Sequence, residues 1–192
     1  ITGNAYACGQ GRTGTGFVVA TDRIVTNAHV LAGVTRPVVE APNGQVLIGK
    51  VVYFDSRSDI AVIAVTGLNT DALSQGVKAQ TGERTKIVGY PYGGPISTSA
   101  ASVESVSLVS SPDIYREGGS AREVYILEGR ADPGDSGAPV LNLDGDYVGI
   151  VFGRNSNETN VGYAMTLTAL QTAVNSAGIL STPVSSGACI TN

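Results

Sequence analysis

Ser136 lies in Asp132-Pro133-Gly134-Asp135-Ser136-Gly137-Ala138-Pro139, a glycine-bounded turn just ahead of an apolar segment. Glycine on both sides lets the backbone bend sharply, so the hydroxyl can stand clear while the N–H groups of Gly134 and Ser136 point into one space. Two convergent N–H donors are what a tetrahedral oxyanion needs. A serine hydroxyl is a weak nucleophile at its own pKa and requires a base within hydrogen-bonding reach. His29, in Thr26-Asn27-Ala28-His29-Val30, is the single histidine of the chain. An imidazole that takes a proton must be held in one tautomer and stabilised once charged, which asks for a carboxylate behind it. Asp59, in Ser58-Asp59-Ile60-Ala61-Val62, heads an apolar strand that can bury it, whereas its rival Asp55 has no such strand behind it. Taken singly, each residue has a plainer reading: a hydrogen-bonded structural histidine, a turn, a strand cap. Their joint presence in the order His, Asp, Ser points to nucleophilic chemistry.

Such chemistry needs a frame that brings residues 29, 59 and 136 together. Short Val- and Ile-rich segments recur at Gly16 to Ala20, Ile24 to Thr26, Val46 to Phe54, Ile60 to Val65 and Lys86 to Tyr90. They continue at Val103 to Val109, Val124 to Glu128, Val140 to Leu143, Tyr147 to Gly153 and Val161 to Met165, which predicts an all-β sandwich or barrel. Asp144-Gly145 reads as a tight hairpin turn. Leu167, Leu170, Ala173, Val174 and Ala177 share one helical face, and Gly178 follows where a helix end favours a left-handed residue. The turn-rich Tyr90-Pro91-Tyr92-Gly93-Gly94-Pro95 is the one plausible seam, dividing the chain into 1–93 and 94–192. Gly11-Arg12-Thr13-Gly14-Thr15-Gly16 precedes a strand where a phosphate loop needs a helix start, so it reads as backbone geometry leading into that strand.

Composition removes other function classes. With 12 Lys and Arg against 16 Asp and Glu, scattered and without a basic run, a nucleic-acid partner is not expected. One histidine and two distant cysteines supply no zinc site of the close-paired kind, so neither metal nor cofactor is expected. The longest apolar run, Ile60 to Val65, is six residues, far short of the ~20 that span a bilayer. The chain opens at Ile1 and not at methionine, which reads as a processed form or an excised domain.

The three segments together resemble the trypsin-like (chymotrypsin-fold) serine proteases, particularly their bacterial HtrA-like branches. Thr26-Asn27-Ala28-His29-Val30, Ser58-Asp59-Ile60-Ala61-Val62 and Gly134-Asp135-Ser136-Gly137-Ala138-Pro139 each match one of the family's signatures. The order His, Asp, Ser is that of this fold and not of subtilisins or α/β-hydrolases. The resemblance implies a double antiparallel β-barrel of six strands each, with the terminal helix after it. His29 and Asp59 would come from the N-terminal barrel and Ser136 from the C-terminal one, with an oxyanion hole made by Gly134 and Ser136. Protein or peptide substrates would be cleaved through an acyl-enzyme.

Within the family, Cys8 and Cys189, the Gly14-Thr15-Gly16-Phe17 strand and Gly89-Tyr90-Pro91-Tyr92-Gly93 are similar to a membrane-anchored periplasmic protease of mycobacteria. That likeness implies an extracytoplasmic location, membrane helices upstream, and a role in envelope-protein processing under acid or oxidative stress. In such an exported class, cysteines near both ends imply a Cys8–Cys189 disulfide.

In trypsin-like relatives the base of the primary pocket lies six residues before the nucleophile, here Arg130, with walls at Val151, Phe152, Gly153, Gly162 and Tyr163. A guanidinium facing the pocket would favour acidic side chains. One turned away to serve a buried Asp135 would leave an apolar pocket for medium aliphatic or aromatic residues, and the cost of burying an unpaired guanidinium favours that arrangement. An arginine, with Arg130 and Arg154 the candidates, or local backbone donors are expected to compensate Asp135, since Ile1 is too near Gly14 in sequence to reach it. The competing readings are a silent peptide-binding scaffold on the same fold and an esterase, whose Gly-x-Ser-x-Gly elbow does not fit Gly134-Asp135-Ser136-Gly137.

Overall fold

The computed structural model describes residues 1–190. The described residues form fourteen strands and two α-helices, the first half being β1 (Thr2–Ala5), β2 (Gln10–Thr13), β3 (Phe17–Ala20), β4 (Arg23–Thr26), α1 (Ala28–Leu31), β5 (Val38–Glu40), β6 (Val46–Ile48), β7 (Lys50–Asp55) and β8 (Ile60–Ala64). The second half follows with β9 (Arg84–Gly89), β10 (Ser97–Ser111), β11 (Ser120–Gly129), β12 (Pro139–Leu141), β13 (Tyr147–Arg154), β14 (Val161–Thr166) and α2 (Leu167–Ala177).

Strands β9 to β14 close into an antiparallel six-stranded barrel in the order β10-β11-β14-β13-β12-β9. Its interior holds Ile87, Val103, Leu127, Val140, Val148 and Val151, all buried. The first half differs from the expected closed barrel: its hydrogen bonding resolves into two four-stranded sheets, β2-β1-β5-β6 and β3-β4-β8-β7.

The central strand of the second sheet explains the six-residue apolar run. Ala61 and Ile63 of β8 face one core with Ile24, Val30 and Leu31. Ile60 and Val62 face another core with Leu170 of α2, Met165 of β14 and Ile150 of β13. Both faces of β8 are covered, so the alternation that marks a half-buried strand is absent. Buried Leu170, Ala173 and Ala177 of α2 therefore tie the two halves of the chain together.

Several expectations need correcting. The seam at 93/94 is displaced, because β9 pairs with β10 and β12 and so belongs to the closed barrel. Residues 90–95 are the β9–β10 connection, and the chain crosses between the halves upstream of Arg84. The segment from Val46 to Phe54 is interrupted at Gly49, where a Cβ would lie 2.2 Å from Ile63 Cγ2. Gly178 ends α2 with φ −62°, right-handed and not left-handed. No helix among the described residues is long and apolar enough to cross a membrane.

Cys8 and Cys189 form a disulfide, with Cα atoms 6.2 Å apart. It pins the C-terminal tail beside α1: Gly33 N–H donates to Ser186 O (3.2 Å), and Val184 N–H to Val51 O (2.8 Å). Gly33, at φ +75°, must stay a glycine, since a Cβ would sit 2.7 Å from Cys189 Sγ. Closing a loop across a separation of 181 residues stabilises by about 5 kcal/mol in the loop-entropy model, an upper figure. Guanidinium unfolding of the Cys8→Ser/Cys189→Ser chain should show a clearly lowered midpoint and a slope at least as steep as the parent's, because the denatured chain is no longer cross-linked; a midpoint equal to the parent's contradicts a stabilising staple.

Candidate active site

Asp59 stands at the head of β8 with φ +56°, an uncommon backbone conformation for a non-glycine residue, and is 4% exposed. That geometry turns its carboxylate and carbonyl back onto α1. Oδ1 accepts the His29 backbone N–H (2.9 Å), and Oδ2 accepts His29 Nδ1–H (2.8 Å). Its carbonyl accepts Asn27 Nδ2–H (3.0 Å) and Ala28 N–H (3.2 Å). One aspartate thus fixes both the helix that carries the imidazole and the imidazole itself, with Nδ1 protonated and Nε2 left to accept. Asp55 does something else: its carboxylate accepts Arg57 N–H and Ser58 Oγ–H in its own turn.

The Ser136 turn depends on two positive-φ glycines, Gly134 at +100° and Gly137 at +87°. A Cβ at Gly134 would lie 2.4 Å from Tyr90 O, and one at Gly137 2.1 Å from Thr15 O. Asp135 N–H donates to Asp132 O (2.9 Å) and Ala138 N–H to Asp135 O (2.8 Å), closing the turn. Among the described residues, the N–H groups of Gly134 and Ser136 have no protein acceptor. The turn is docked on the other half of the chain through Thr15, whose N–H donates to Ser136 O (2.8 Å). No hydrogen bond joins His29 to Ser136; the Asp59–His29 half of the set is formed, and such contacts are often long without substrate.

The two candidate arginines for Asp135 are elsewhere. Arg130 Nε donates to Asp132 Oδ2 (2.7 Å) with its side chain 61% exposed, and Arg154 Nη1 reaches Asp132 Oδ1 (3.4 Å). The partly buried Asp132 carboxylate, joined by Tyr92 OH (3.1 Å), is reached by guanidinium groups that themselves stay in contact with solvent. Asp135 is buried against Gly89, and its Oδ2 accepts Asp132 N–H (2.8 Å). Burial raises its pKa above the ordinary 3.8; the Asp132 N–H works against this and the Asp132 charge adds to it.

Val151 is buried and accepts Gly137 N–H (2.8 Å), so it borders the serine turn. A bulge separates Val151 from Gly153 in the β13–β14 pairing, and Phe152 within it stacks on Tyr163 with centroids 6.3 Å apart. Space beside Gly153 is open, and Gly162 faces Ala131. The sequence reading missed Thr15, Tyr92 and Asp132, although a threonine between two glycines at the start of an apolar strand was the available signal for the first.

The model of the trypsin-like peptidase domain matches residues 14–150. The serine protease Rv3671c of Mycobacterium tuberculosis is 36% identical over 189 residues, covering 97% of this chain and 47% of that protein. A probable periplasmic serine endoprotease, DegP-like, of Halomonas elongata is 29% identical over 79% of this chain and 32% of its own length. The chain thus spans about half the length, or less, of these curated relatives. The crystal structure of the Rv3671c protease in its active form superposes with a TM-score of 0.94 at 33% identity, covering 99% of this chain and 84% of that one. The inactive form gives 0.78, covering 87% and 86%.

His29 reports the site's electrostatics through a single imidazole resonance. Burial by itself lowers its pKa, but the charge and hydrogen bond of Asp59 outweigh burial, Arg12 opposes slightly, and the net shift is upward from 6.5. With the folded value raised, this pair stabilises the fold fully below the unfolded pKa of about 6.5, and the contribution is lost as pH rises through the folded value. NMR titration should place the parent midpoint above 6.5 and the Asp59→Asn midpoint at or below it. A parent midpoint below 6.5 contradicts this electrostatic account.

Proposed function

The chain belongs to the trypsin-like serine proteases, and from that premise we propose that it hydrolyses peptide bonds with Ser136 as nucleophile, His29 as general base and Asp59 as the orienting carboxylate. Ser136 Oγ attacks the scissile carbonyl while His29 Nε2 takes its proton, and Asp59 holds the resulting imidazolium in place. The carbonyl oxygen, now an anion, is received by the N–H groups of Gly134 and Ser136. Collapse expels the amine with the proton from His29, and water then cleaves the acyl-enzyme with the same base. Because His29 must be neutral to begin, the rate should fall on the acid side with a midpoint above 6.5. The observation that carries this reading is the pair of N–H groups without acceptors in the Ser136 turn, together with a histidine already locked by a buried carboxylate. Free oxyanion donors favour cleavage over a silent peptide-binding scaffold.

The two strand groups then act as N-terminal and C-terminal halves around a cleft, with residues 1–83 supplying His29 and Asp59 and the β9–β14 barrel supplying Ser136. The primary pocket is apolar, bounded by Ala131, Val151, Gly153 and Gly162, because Arg130 is held on the rim by Asp132. Medium aliphatic or aromatic side chains suit it. The disulfide suits an oxidising compartment, and the printed name of the Halomonas relative includes "periplasmic". We therefore place the domain outside the cytoplasm; its resemblance to the mycobacterial proteases extends the proposal to a protein anchored in the inner membrane by helices upstream and acting on envelope proteins under acid or oxidative stress.

Digestion of a P1-randomised peptide library by the parent and by Ser136→Ala tests the assignment. The parent should cut after aliphatic and aromatic residues, and the variant, still folded, should lose orders of magnitude in rate. Parent-rate cleavage by the variant removes Ser136 as nucleophile, and a dominant preference for Lys or Arg removes the apolar pocket.

A further inference from the structure

Thr15 precedes β3 and is 2% exposed, yet none of its polar groups serves a strand ladder. Its N–H donates to Ser136 O (2.8 Å). Its Oγ1–H donates to Gly134 O (2.7 Å), and the same oxygen accepts Tyr90 N–H (3.0 Å). Its carbonyl accepts Thr26 Oγ1–H (2.6 Å), three residues before His29. One buried residue thus contacts the nucleophile's residue and the strand leading to the base through its backbone, and the oxyanion donor's residue and the loop after β9 through its hydroxyl.

The consequence lies in Gly134, whose N–H lies in the peptide plane before it, while its own φ and ψ set how that plane sits against the one after it. In the plane before it, Pro133 O accepts Tyr92 N–H (2.5 Å); because the peptide is trans, the Gly134 N–H must point the opposite way. In the plane after it, Gly134 O is held by Thr15 Oγ1. Glycine at φ +100° has no side chain to resist rotation, so nothing else on the residue itself keeps the N–H aimed. We propose that Thr15 is a positioning residue whose hydroxyl fixes the oxyanion turn against the half of the chain that carries His29. This rests on the proteolytic reading of Ser136 and His29.

Thr15→Ser and Thr15→Ala differ by the hydroxyl alone, so their comparison isolates it. The Ser variant should keep kcat within about threefold of the parent, while the Ala variant should lose about 10- to 100-fold in kcat, somewhat less than removal of an oxyanion donor outright. KM and the affinity for a cleaved product peptide should stay within about twofold. Affinity for a peptide boronate, which forms a tetrahedral adduct on the nucleophile, should fall in step with kcat. Equal kcat and equal boronate affinity in Ser and Ala overturn the proposal. A loss in Ala that disappears when rates are corrected for the folded fraction, measured by thermal unfolding, also overturns it. If Ala does not fold, Thr15→Cys, with its weaker donor, replaces it and should fall between Ser and the expected Ala value; parity with Ser counts against the proposal. Ser136→Ala run alongside separates the two claims: parent-rate cleavage there defeats the proteolytic reading itself.

Discussion

The buried hydrogen bonds of Thr15 join two parts of the chain that no strand ladder connects directly at this point. A serine from the barrel must be held against a histidine that follows β4, and the sheets containing β4 and the barrel hydrogen-bond separately. Thr15 takes the carbonyls of Gly134 and Ser136, while Thr26 takes the carbonyl of Thr15. Without the hydroxyl, Gly134 O and Tyr90 N would be left without this partner, at about 1–3 kcal/mol each if they stayed buried and unpaired. The glycines follow from the same close approach: Gly137 is pressed onto Thr15 and Gly134 onto the Tyr90–Tyr92 backbone.

Charge in the site is divided so that each carboxylate has a different task. Asp59 meets His29 on two atoms and fixes a tautomer. Asp132 gathers Arg130, Arg154 and Tyr92 and leaves neither guanidinium on Asp135. Asp135, with a backbone donor and no arginine, keeps a raised pKa. Two positive charges that the spacing of residues assigns to the buried Asp135 therefore go to the partly buried Asp132, where the guanidinium groups themselves stay in contact with solvent.

The segments around the proposed site were legible in part. Ser136 and Asp59 lie in short segments whose local composition announces a turn and a buried strand, whereas the one-turn helix carrying His29 is too short to leave a periodic signal. The face of α2 was legible because Leu170, Ala173 and Ala177 repeat at helical spacing. Strands β1, β2 and β5 were not, since their burial alternates over only three or four residues of mixed polarity. The 15-residue β10 is legible only at its apolar centre, because its ends are serine-rich. Membership of β9 in the closed barrel likewise depends on β12, some fifty residues away. The partners of Arg130 and Arg154, and the role of Thr15, are set by contacts across the fold and leave no periodic trace.

If Thr15 and Tyr92 already hold the oxyanion turn in the resting chain, no activator is needed to make Ser136 reactive. Labelling the purified chain with a fluorophosphonate probe, then mapping the adduct by peptide mass, tests this most directly. The account predicts prompt, single labelling at Ser136 in the absence of any peptide or partner. An unlabelled chain, or an adduct on another serine, would contradict it.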